Sequence, residues 1–334
     1  MAAELDEFDL IARHFAPLAK AGVDVETFNL QDDAATIRSR PGKRLVVTSD
    51  SLVSGVHFFG DEPPAQIAQK ALRANLSDLA GKGAQPVGYT LSLHLPSDTG
   101  DDWLADFASG LAQDQKTYGI TLLGGDTTAS RTLAIAITAI GEVAATYPAR
   151  LAAKVSDDIW VTGTIGDAAM GLKLYEGTLA VGGDLGGEHG DFLRDRYRLP
   201  QPRLKMASII AAHANGAMDV SDGLLADLAK MCRAAVVSAQ IRQADLPISP
   251  AARAALEVLP HTDLSALFAG DDYEVLFTAD SEARLAIEEL ASALPFGVTR
   301  IGHITDAHSS GEVLLMDEQG NPVQLESTGH THRF

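Results

Sequence analysis

Residues 45–58 read Leu45-Val46-Val47-Thr48-Ser49-Asp50-Ser51-Leu52-Val53-Ser54-Gly55-Val56-His57-Phe58. The apolar run at the start of this stretch predicts a buried strand. A strand that ends in Thr48, Ser49 and Asp50 would bring oxygen ligands for a hard cation to the edge of a sheet. A strand followed by a polar turn explains the same composition. The stretch alone therefore leaves a cation site and a simple turn both open.

The composition narrows the class of protein. The chain has 334 residues, which predicts about two domains, and its hydrophobic share of 46% is that of a soluble globular protein. A net charge of −19 disfavours binding to nucleic acid or to an anionic membrane surface. The single Cys232 excludes an internal disulfide framework and a cysteine-rich zinc site. Its helical-looking surroundings predict a buried, inert thiol.

The sequence also predicts a cytoplasmic protein with no membrane partner. Residues 1–9 are acidic and lack the pattern of a secretory signal. The longest apolar run, Leu133 to Ile140, is too short to span a bilayer.

Periodicity predicts an α/β chain in two halves. Helices are predicted at 5–20, 65–80, 101–116, 167–176, 202–215, 224–235 and 281–294. Strands are predicted at 45–47, 89–95, 120–123, 133–143, 159–163, 273–278, 298–304, 313–316 and 322–325. A turn signal at Tyr147-Pro148 suggests a domain boundary, and the glycine-rich residues 177–192 predict a mobile surface loop. Ser221 or Asp222 is expected to cap the helix that begins at Leu224.

Acidic residues gather where these elements end. The candidates are Asp33, Asp50, Asp78, Asp126, Asp219 and Asp222. Taken singly, each is more simply a cap or turn residue. Together they would repel one another unless cations bound between them, and Mg²⁺ with phosphate oxygens suits such a ligand set. The common nucleotide-binding motifs are absent from the sequence. The residues alone thus indicate a magnesium-dependent enzyme that acts on phosphates.

A series of motifs extends this interpretation. In chain order it comprises Asp32-Asp33-Ala34-Ala35, Thr48 to Phe58, Asn75-Leu76-Ser77-Asp78-Leu79-Ala80, Gly124-Gly125-Asp126-Thr127-Thr128, Val161 to Asp167, Asp219-Val220-Ser221-Asp222-Gly223-Leu224 and Gly270-Asp271-Asp272-Tyr273-Glu274. The series closely resembles the thiamine-monophosphate kinase family of the aminoimidazole-ribonucleotide synthetase-like superfamily. The resemblance covers nearly the whole chain.

The resemblance implies a two-domain α/β (α+β) architecture. Residues 1–147 would bind ATP and Mg²⁺ and form a homodimer through their sheet, and residues 148–334 would complete the active-site cleft. The γ-phosphoryl group of ATP would pass directly and in line to the phosphate of thiamine monophosphate, giving thiamine diphosphate. The need for a monovalent cation stays open.

The resemblance also implies roles for individual residues. The magnesium and phosphate ligands would be Asp33, Thr48, Ser49, Asp50, Asp78, Asp126, Asp219 and Asp222. Among these, Asp50, Asp126 and Asp222 would be catalytic. The ATP contacts would be Gly125, Asp126, Arg150 and Ser221. The contacts to thiamine monophosphate would be His57, Asp271 and His330.

Three departures from the family pattern concern phosphate approach and substrate recognition. The family usually has Gly-Ile-Gly where this chain has Asn29-Leu30-Gln31, and Asp271 replaces a usual Glu. His330 stands where an aromatic residue is usual. The alternatives are therefore another ATP-dependent synthetase of the superfamily, or a non-catalytic nucleotide-binding relative. The members that need a reactive cysteine near either end of the chain do not fit, because Cys232 is the only cysteine.

Overall fold

The structure is a computed structural model that describes residues 7–144, 147–179, 183–259, 264–306 and 311–330. It divides into two compact units. Unit 1 comprises Met1–Leu79 and Ala84–Ala145, and unit 2 comprises Ala80–Gly83 and Thr146–Phe334. Within the described residues, no helix has the length and apolar character needed to cross a membrane.

Unit 1 begins with a short helical segment that partly matches the predicted helix at 5–20. It consists of α1 (Glu7–Leu10), a π-helical turn (Ile11–Phe15) and a 3-10 turn (Ala16–Leu18). Residues 5 and 6 lie outside the described residues. The longer helices are α2 (Pro64–Gly81) and α3 (Asp101–Tyr118), as the periodicity predicts.

The strands of unit 1 are β1 (Val25–Glu26), β2 (Thr36–Ile37), β3 (Lys43–Val53), β4 (Gln85–Leu95), β5 (Thr121–Ala129) and β6 (Ala134–Ala144). The last four form one sheet in the order β3-β6-β4-β5, in which only β4 and β5 run parallel. Both long helices cover the same face of this sheet. Gln115 on α3 hydrogen-bonds the Tyr89 hydroxyl on β4, and Gly141 on β6 leaves room for the Leu79 side chain on α2.

Strand β3 differs from its prediction in two ways. It does not end at the polar residues but continues through them to Val53. It is also an edge strand, and Leu45 and Val47 are 41% and 62% exposed. These side chains point to the sheet face opposite the helices, because successive residues of a strand alternate between faces. The sequence of an apolar run does not show which of its side chains are exposed to solvent in the fold. Strand β5 likewise continues through Gly124 to Ala129 instead of ending before the glycines.

Unit 2 has helices on both faces of a sheet. The strands are β7 (Asp158–Thr162), β8 (Ala214–Val220), β9 (Ser238–Arg242), β10 (Glu274–Ala279), β11 (Val298–Thr305) and β12 (Val313–Met316), in the order β12-β9-β11-β7-β10-β8. The helices are α4 (Asp167–Tyr175), α5 (Glu188–Arg198), α6 (Ala207–His213), α7 (Leu224–Ala235), α8 (Pro250–Val258) and α9 (Arg284–Ala291). One face packs on α4, α5, α7 and α8, and the other packs on α6 and α9.

Several local predictions in unit 2 are wrong. The glycine-rich region 177–192 contains a 3-10 turn (Gly183–Gly186) and the start of α5, and Leu179 and Leu185 are buried; residues 180–182 lie outside the description. The helix predicted at 202–215 ends at His213, because the next residue already begins β8. Residues 322–325 form only an isolated bridge to β12.

The predicted cap of α7 is also wrong. The residue at the N-cap is Gly223, whose backbone lies so close to Phe268 that an added Cβ would stand 2.0 Å from the Phe268 carbonyl oxygen. The Asp227 carboxylate, inside the helix, instead accepts the N–H groups of Ser221 and Asp222 at 3.0 and 2.9 Å. This carboxylate therefore fixes the two residues that precede Gly223, which differs from capping the N–H groups of the first helical turn.

Candidate functional site

In unit 1, strand β3 and helix α2 bring oxygen atoms together. The Thr48 hydroxyl donates a hydrogen bond to the Asp78 carboxylate. The Asn75 side-chain oxygen accepts the backbone N–H of Asp50 at 3.2 Å. Thr48 and Asp50 are two residues apart on a strand, and Asn75 and Asp78 are three apart on a helix, so each pair shares one face. We call Thr48, Asp50, Asn75 and Asp78 the β3–α2 group.

The electrostatics of this group favour a bound cation. Burial and, to a smaller extent, the neighbouring Asp78 charge raise the pKa of Asp50 to about 6. Its oxygen donors are of the kind that Mg²⁺ prefers. Among the described residues, no three His, Cys, Asp or Glu side chains are grouped so as to hold a metal ion. The oxygen atoms of the β3–α2 group fit Mg²⁺, an ion that usually keeps water or phosphate oxygens among its ligands.

Asp126 is not part of the β3–α2 group within one chain. Cross-strand pairing places Asp126 on β5 in a row with Ser92, Ala136 and Ser51. Ser51 follows Asp50 directly, so Asp126 and Asp50 point to opposite faces of the sheet. Three strand spacings also separate β5 from β3, about 14 Å in all.

Two other predicted ligands of unit 1 also lie apart from the β3–α2 group. Ser49 shares the face of Asp126, and its hydroxyl lies 3.0 Å from the Thr138 hydroxyl on β6. Asp33 is exposed ahead of β2, and its N–H donates to the Asp32 carboxylate at 2.7 Å.

The segment before Asp33 has a left-handed backbone. Phe28, Asn29 and Leu30 have φ values of 52°, 53° and 57°. Asparagine tolerates this conformation, whereas leucine is strained in it. Of the two positions that are usually glycine in the family, Asn29 is thus left-handed, whereas Gln31 has a φ of −98° that any residue adopts.

His57 lies in the turn after β3. Its Nδ1 accepts the N–H of Val53 at 3.1 Å, which places the proton of the neutral ring on Nε2. The Lys70 ammonium donates to the His57 carbonyl at 3.1 Å and ties the turn to α2. The ring orientation is therefore fixed by the fold.

Gly125 has a structural reason to be glycine. An added Cβ would lie 1.8 Å from the Leu91 carbonyl oxygen on the neighbouring strand β4. The backbones approach closely next to the irregular pairing at Tyr89 and Thr90. The residue type at this position is thus set by strand packing, whatever it contacts in addition.

In unit 2, three loops that are distant in sequence meet. The Asp271 N–H donates to the Ser221 carbonyl at 2.8 Å, and the His330 N–H donates to the Asp222 carbonyl at 2.8 Å. Four predicted site residues are therefore neighbours. Gly270 makes the approach possible, because an added Cβ would stand 2.5 Å from the Ser221 carbonyl oxygen.

Lys230 on α7 is a charged neighbour of this site that the sequence did not reveal. Its ammonium contacts the Asp222 carboxylate and also lies 2.8 Å from Asp227. Burial acts to lower the pKa of Lys230, but the hydrogen bonds to Asp222 and Asp227 outweigh it and raise the pKa. The spacing of Asp227 and Lys230, three apart on a helix, was the available signal.

The two remaining predicted residues of unit 2 lie on the edge strand β8 and on a turn that packs against it. Asp219 is on β8, is 5% exposed and pairs in register with Val275. Arg150 begins a 3-10 turn, Arg150–Ala152, that packs against α7 and β8. Its side chain is exposed.

A buried set of charged residues lies behind the 270–273 loop, and sequence reasoning missed its role. It consists of Asp167, Arg196, Arg203, Asp272 and Glu274, which we call the buried ionic network. Complete burial raises the pKa of Asp272 well above its usual value, although the Gly166 N–H favours the charged form. Burial likewise raises the pKa of Asp167. Asp272 and Glu274 belong to a motif that the sequence displays, but Arg196 lies on the unpredicted helix α5.

Comparison with known proteins first defines the class. The family model for the N-terminal domain of AIR synthase related proteins matches residues 31–143, and the model for their C-terminal domain matches residues 154–314. The fold and the two matched domains thus define an AIR synthase-related protein, as the motif series predicts.

Full-length relatives then define the family. Thiamine-monophosphate kinase of Caulobacter vibrioides is 39% identical over 336 residues, which cover 99% of this chain and 92% of the relative. The crystal structure of thiamine-monophosphate kinase from Stenotrophomonas maltophilia K279a has 40% identity and a TM-score of 0.77, covering 88% of this chain and 91% of that one. AaThiL complexed with AMPPCP and TMP has 28% identity and a TM-score of 0.74, covering 90% and 91%. This chain belongs to the thiamine-monophosphate kinase family and is a kinase, which confirms the resemblance seen in its motifs.

Proposed function

We propose that the protein transfers the γ-phosphoryl group of ATP to the phosphate of thiamine monophosphate, in a Mg²⁺-dependent, in-line reaction that forms thiamine diphosphate. The full-length similarity to thiamine-monophosphate kinases supports the substrates, as does the relative whose structure is described with AMPPCP and TMP. The observation that carries the magnesium dependence is the convergence of Thr48, Asp50 and Asp78.

Thr48, Asp50 and Asp78 would hold Mg²⁺. The family resemblance adds Asp33, Ser49, Asp126, Asp219 and Asp222 as further magnesium and phosphate ligands. When bound, Mg²⁺ supplies charge neutralisation at the phosphates. Gly125, Arg150 and Ser221 would orient ATP, with Arg150 as a fork-shaped donor to phosphate oxygens.

Three residues would recognise thiamine monophosphate. His57 would contact the substrate from a ring already oriented by Val53. Asp271 would accept a hydrogen bond from the pyrimidine amine, and His330, held next to Asp222 by its backbone, would stack on a thiamine ring. Direct transfer needs alignment of the two phosphates and no nucleophile from the protein. Asp50, Asp126 and Asp222 would be catalytic because they hold the Mg²⁺ that neutralises charge at the phosphates.

We include a homodimer formed through the sheet of unit 1. The uncovered face of β3 carries the exposed Leu45 and Val47, which a second copy would bury. The same face carries Asp126, which lies about three strand spacings from Asp50 in its own chain. A second copy whose β5 lies beside the edge strand β3 would bring its Asp126 next to that strand, where both carboxylates would act in one site. The β3 edge would then be protected from other partners as well.

The domain roles follow the same scheme. Residues 1–147 would bind ATP and Mg²⁺ and dimerise, and residues 148–334 would complete the active-site cleft. A cytoplasmic location is an expectation from the sequence, and the need for a monovalent cation stays open.

Phosphorus NMR of the purified protein with Mg-ATP and thiamine monophosphate tests the proposal. We expect thiamine diphosphate to accumulate with one ADP for each molecule formed. ADP and free phosphate without thiamine diphosphate would show that another acceptor is used. ATP binding without any turnover would favour the non-catalytic alternative.

A further inference from the structure

The loop that carries Asp271 has an unusual backbone. Gly270, Asp271 and Tyr273 have φ values of 99°, 63° and 52°, all in the left-handed region. Glycine adopts this region freely, whereas aspartate tolerates it and tyrosine is strained in it. Such conformations persist only where the surrounding structure over-determines them, and they concentrate at functional sites.

Two backbone hydrogen bonds fix the outer side of the loop. The Asp271 N–H donates to the Ser221 carbonyl at 2.8 Å, and the Tyr273 N–H donates to the Val220 carbonyl at 2.8 Å. These bonds attach the loop to the end of β8. They do not fix Asp272, the residue between them, whose side chain turns inward.

That residue is Asp272, and its carboxylate anchors the loop from inside. It is 1% exposed, and its two oxygens accept the Gly166 N–H at 3.0 and 3.1 Å. Gly166 is the N-cap of α4, where the helix dipole favours a negative charge. An added Cβ at Gly166 would lie 2.4 Å from the Leu267 side chain, so this anchoring amide needs a glycine.

Arg196 on α5 holds the same loop through its backbone. Its guanidinium donates to the Asp272 carbonyl at 3.3 Å and to the Glu274 carboxylate at 2.7 Å. Glu274 is fixed in turn by the Thr162 hydroxyl at 2.7 Å and by Arg203 at 2.6 Å. Asp272, the residue that follows Asp271, is therefore held through both its carboxylate and its backbone carbonyl.

The buried ionic network is poorly explained as a source of stability. Well-packed apolar side chains of similar volume usually stabilise a protein as well as a buried ion pair does. A network that fixes one geometry is a better-supported role for such groups, and here Asp272 lies in the 270–273 loop and Arg196 donates to its carbonyl. Asp271, the half-buried residue before Asp272, is the one proposed above to contact thiamine monophosphate.

We propose that Asp272 and Arg196 are positioning residues that fix Asp271 in its left-handed conformation and so set the recognition of thiamine monophosphate. This inference rests on the proposed function only for the identity of the ligand. The Ser221 carbonyl accepts the Asp271 N–H, but the Ser221 N–H is held by Asp227, so ATP binding should depend on Asp272 less than the binding of thiamine monophosphate does.

The test combines steady-state kinetics with hydrogen exchange on the full-length protein. Asp272→Ala should raise the KM for thiamine monophosphate about tenfold or more and change the KM for ATP less than about twofold. Asp272→Asn retains one oxygen acceptor for Gly166 and should restore most of the affinity. Arg196→Met should resemble Asp272→Ala, and Arg196→Lys should fall between Arg196→Met and the wild type.

A matched control separates positioning from general stability. Asp158 is equally buried, binds Arg284 at 2.8 Å, and lies at the opposite end of β7 from Thr162. Asp158→Ala should lower the Tm with both KM values unchanged. A rise in the KM for thiamine monophosphate equal to that of Asp272→Ala would overturn the proposal.

Hydrogen exchange gives a readout that does not need activity. In Asp272→Ala, the amides of Asp271 and Tyr273 should exchange faster than in the wild type. If Asp272→Ala does not fold, Asp272→Asn and Arg196→Lys should show the same change. The Ser221 and Asp222 amides, held by Asp227, should keep their protection. Unchanged protection at Asp271 and Tyr273 would overturn the positioning role. If the wild type does not phosphorylate thiamine monophosphate, the proposed function falls, while faster exchange would still establish that the network fixes this loop.

Discussion

The Thr48 hydroxyl donates its hydrogen bond to the Asp78 carboxylate and so joins the middle of β3 to the last turns of α2. Asp50, two residues further along the strand, lies beside the same carboxylate. Two acidic side chains thus face one another in a partly buried position that a cation would relieve. This arrangement lowers the free energy of unfolding of the metal-free protein.

Asp50→Asn should stabilise the metal-free protein at neutral pH. The pKa of Asp50 is about 6 in the folded state, against 3.8 for an unperturbed aspartate, so between these values the folded state holds a proton that the unfolded state has released. Stability should therefore fall as pH rises from about 4 to about 6, by about 1–2 kcal/mol after solvent screening. Urea unfolding without metal, measured across this range, should show a smaller fall in Asp50→Asn than in the wild type, because Asp167, Asp227 and Asp272, whose pKa values burial also raises, still contribute in the variant.

Magnesium should reverse the order of stability. Mg²⁺ should raise the Tm of the wild type more than that of Asp50→Asn, because the variant has lost a carboxylate ligand. The variant should also lose about three orders of magnitude in turnover with its fold intact. Equal stabilisation by Mg²⁺, together with near-normal turnover, would contradict the role of Asp50.

Mixed dimers should recover activity that each variant has lost. Asp50→Asn and Asp126→Asn alone should both be nearly inactive. If one chain supplies Asp50 and its partner supplies Asp126, a mixed dimer contains one intact site of two, and the purified mixed dimer should recover about half of wild-type activity. Co-expression with two different tags, followed by an assay of the doubly purified dimer, measures this directly.

The matched control mixes Asp50→Asn with Asp78→Asn. These residues belong to the same β3–α2 group in one chain, so every site in the mixed dimer stays defective. Recovery in this control, or none in the Asp50 and Asp126 mixture, would contradict a site shared between chains.

His57→Ala should weaken the binding of thiamine monophosphate. The KM for this substrate should rise roughly tenfold, as expected for one lost hydrogen bond to a charged group, with little change in the KM for ATP. His303→Ala, which alters an exposed histidine on β11, serves as a control and should change neither value. An equal effect of His57→Ala on both substrates would count against a substrate contact.

Leu30→Gly should stabilise the protein. Leu30 has a φ of 57°, a conformation that costs a non-glycine residue about 1–2 kcal/mol and that glycine adopts without this cost. The greater entropy of glycine in the unfolded state offsets part of the stabilisation. We expect a net increase of about 0.5–1 kcal/mol in the free energy of unfolding. Asn29→Gly should gain less, because asparagine already tolerates this region. Chemical denaturation of both variants checks the order, and a loss of stability in Leu30→Gly would refute it.

Cys232 should be unreactive until the protein unfolds. Its thiol is fully buried, and burial raises its pKa to about 12, so it stays protonated at pH 8. Ellman's reagent should label the native protein slowly and the urea-unfolded protein at once. Rapid stoichiometric labelling under native conditions would show that α7 opens readily or that the thiol is not buried.

The sequence by itself determined the local parts of this protein. Apolar spacing predicts α2 and places Asn75 and Asp78 on one face, and the residues after Gly223 predict the start of α7. The ordered motifs identify the family without any tertiary information. These features depend on contacts a few residues apart, which periodicity and turn chemistry report directly.

Only the tertiary structure decided which of the predicted residues meet. The strand register places Asp126 and Asp50 on opposite faces, and a shift of one residue in pairing would have reversed that result. The junction of Ser221, Asp271 and His330 joins segments 50 or more residues apart. Arg196 lies on a helix concealed by the polar and glycine-rich composition of its surroundings. Long-range pairing and burial are set by the fold as a whole, so no local pattern could have revealed them.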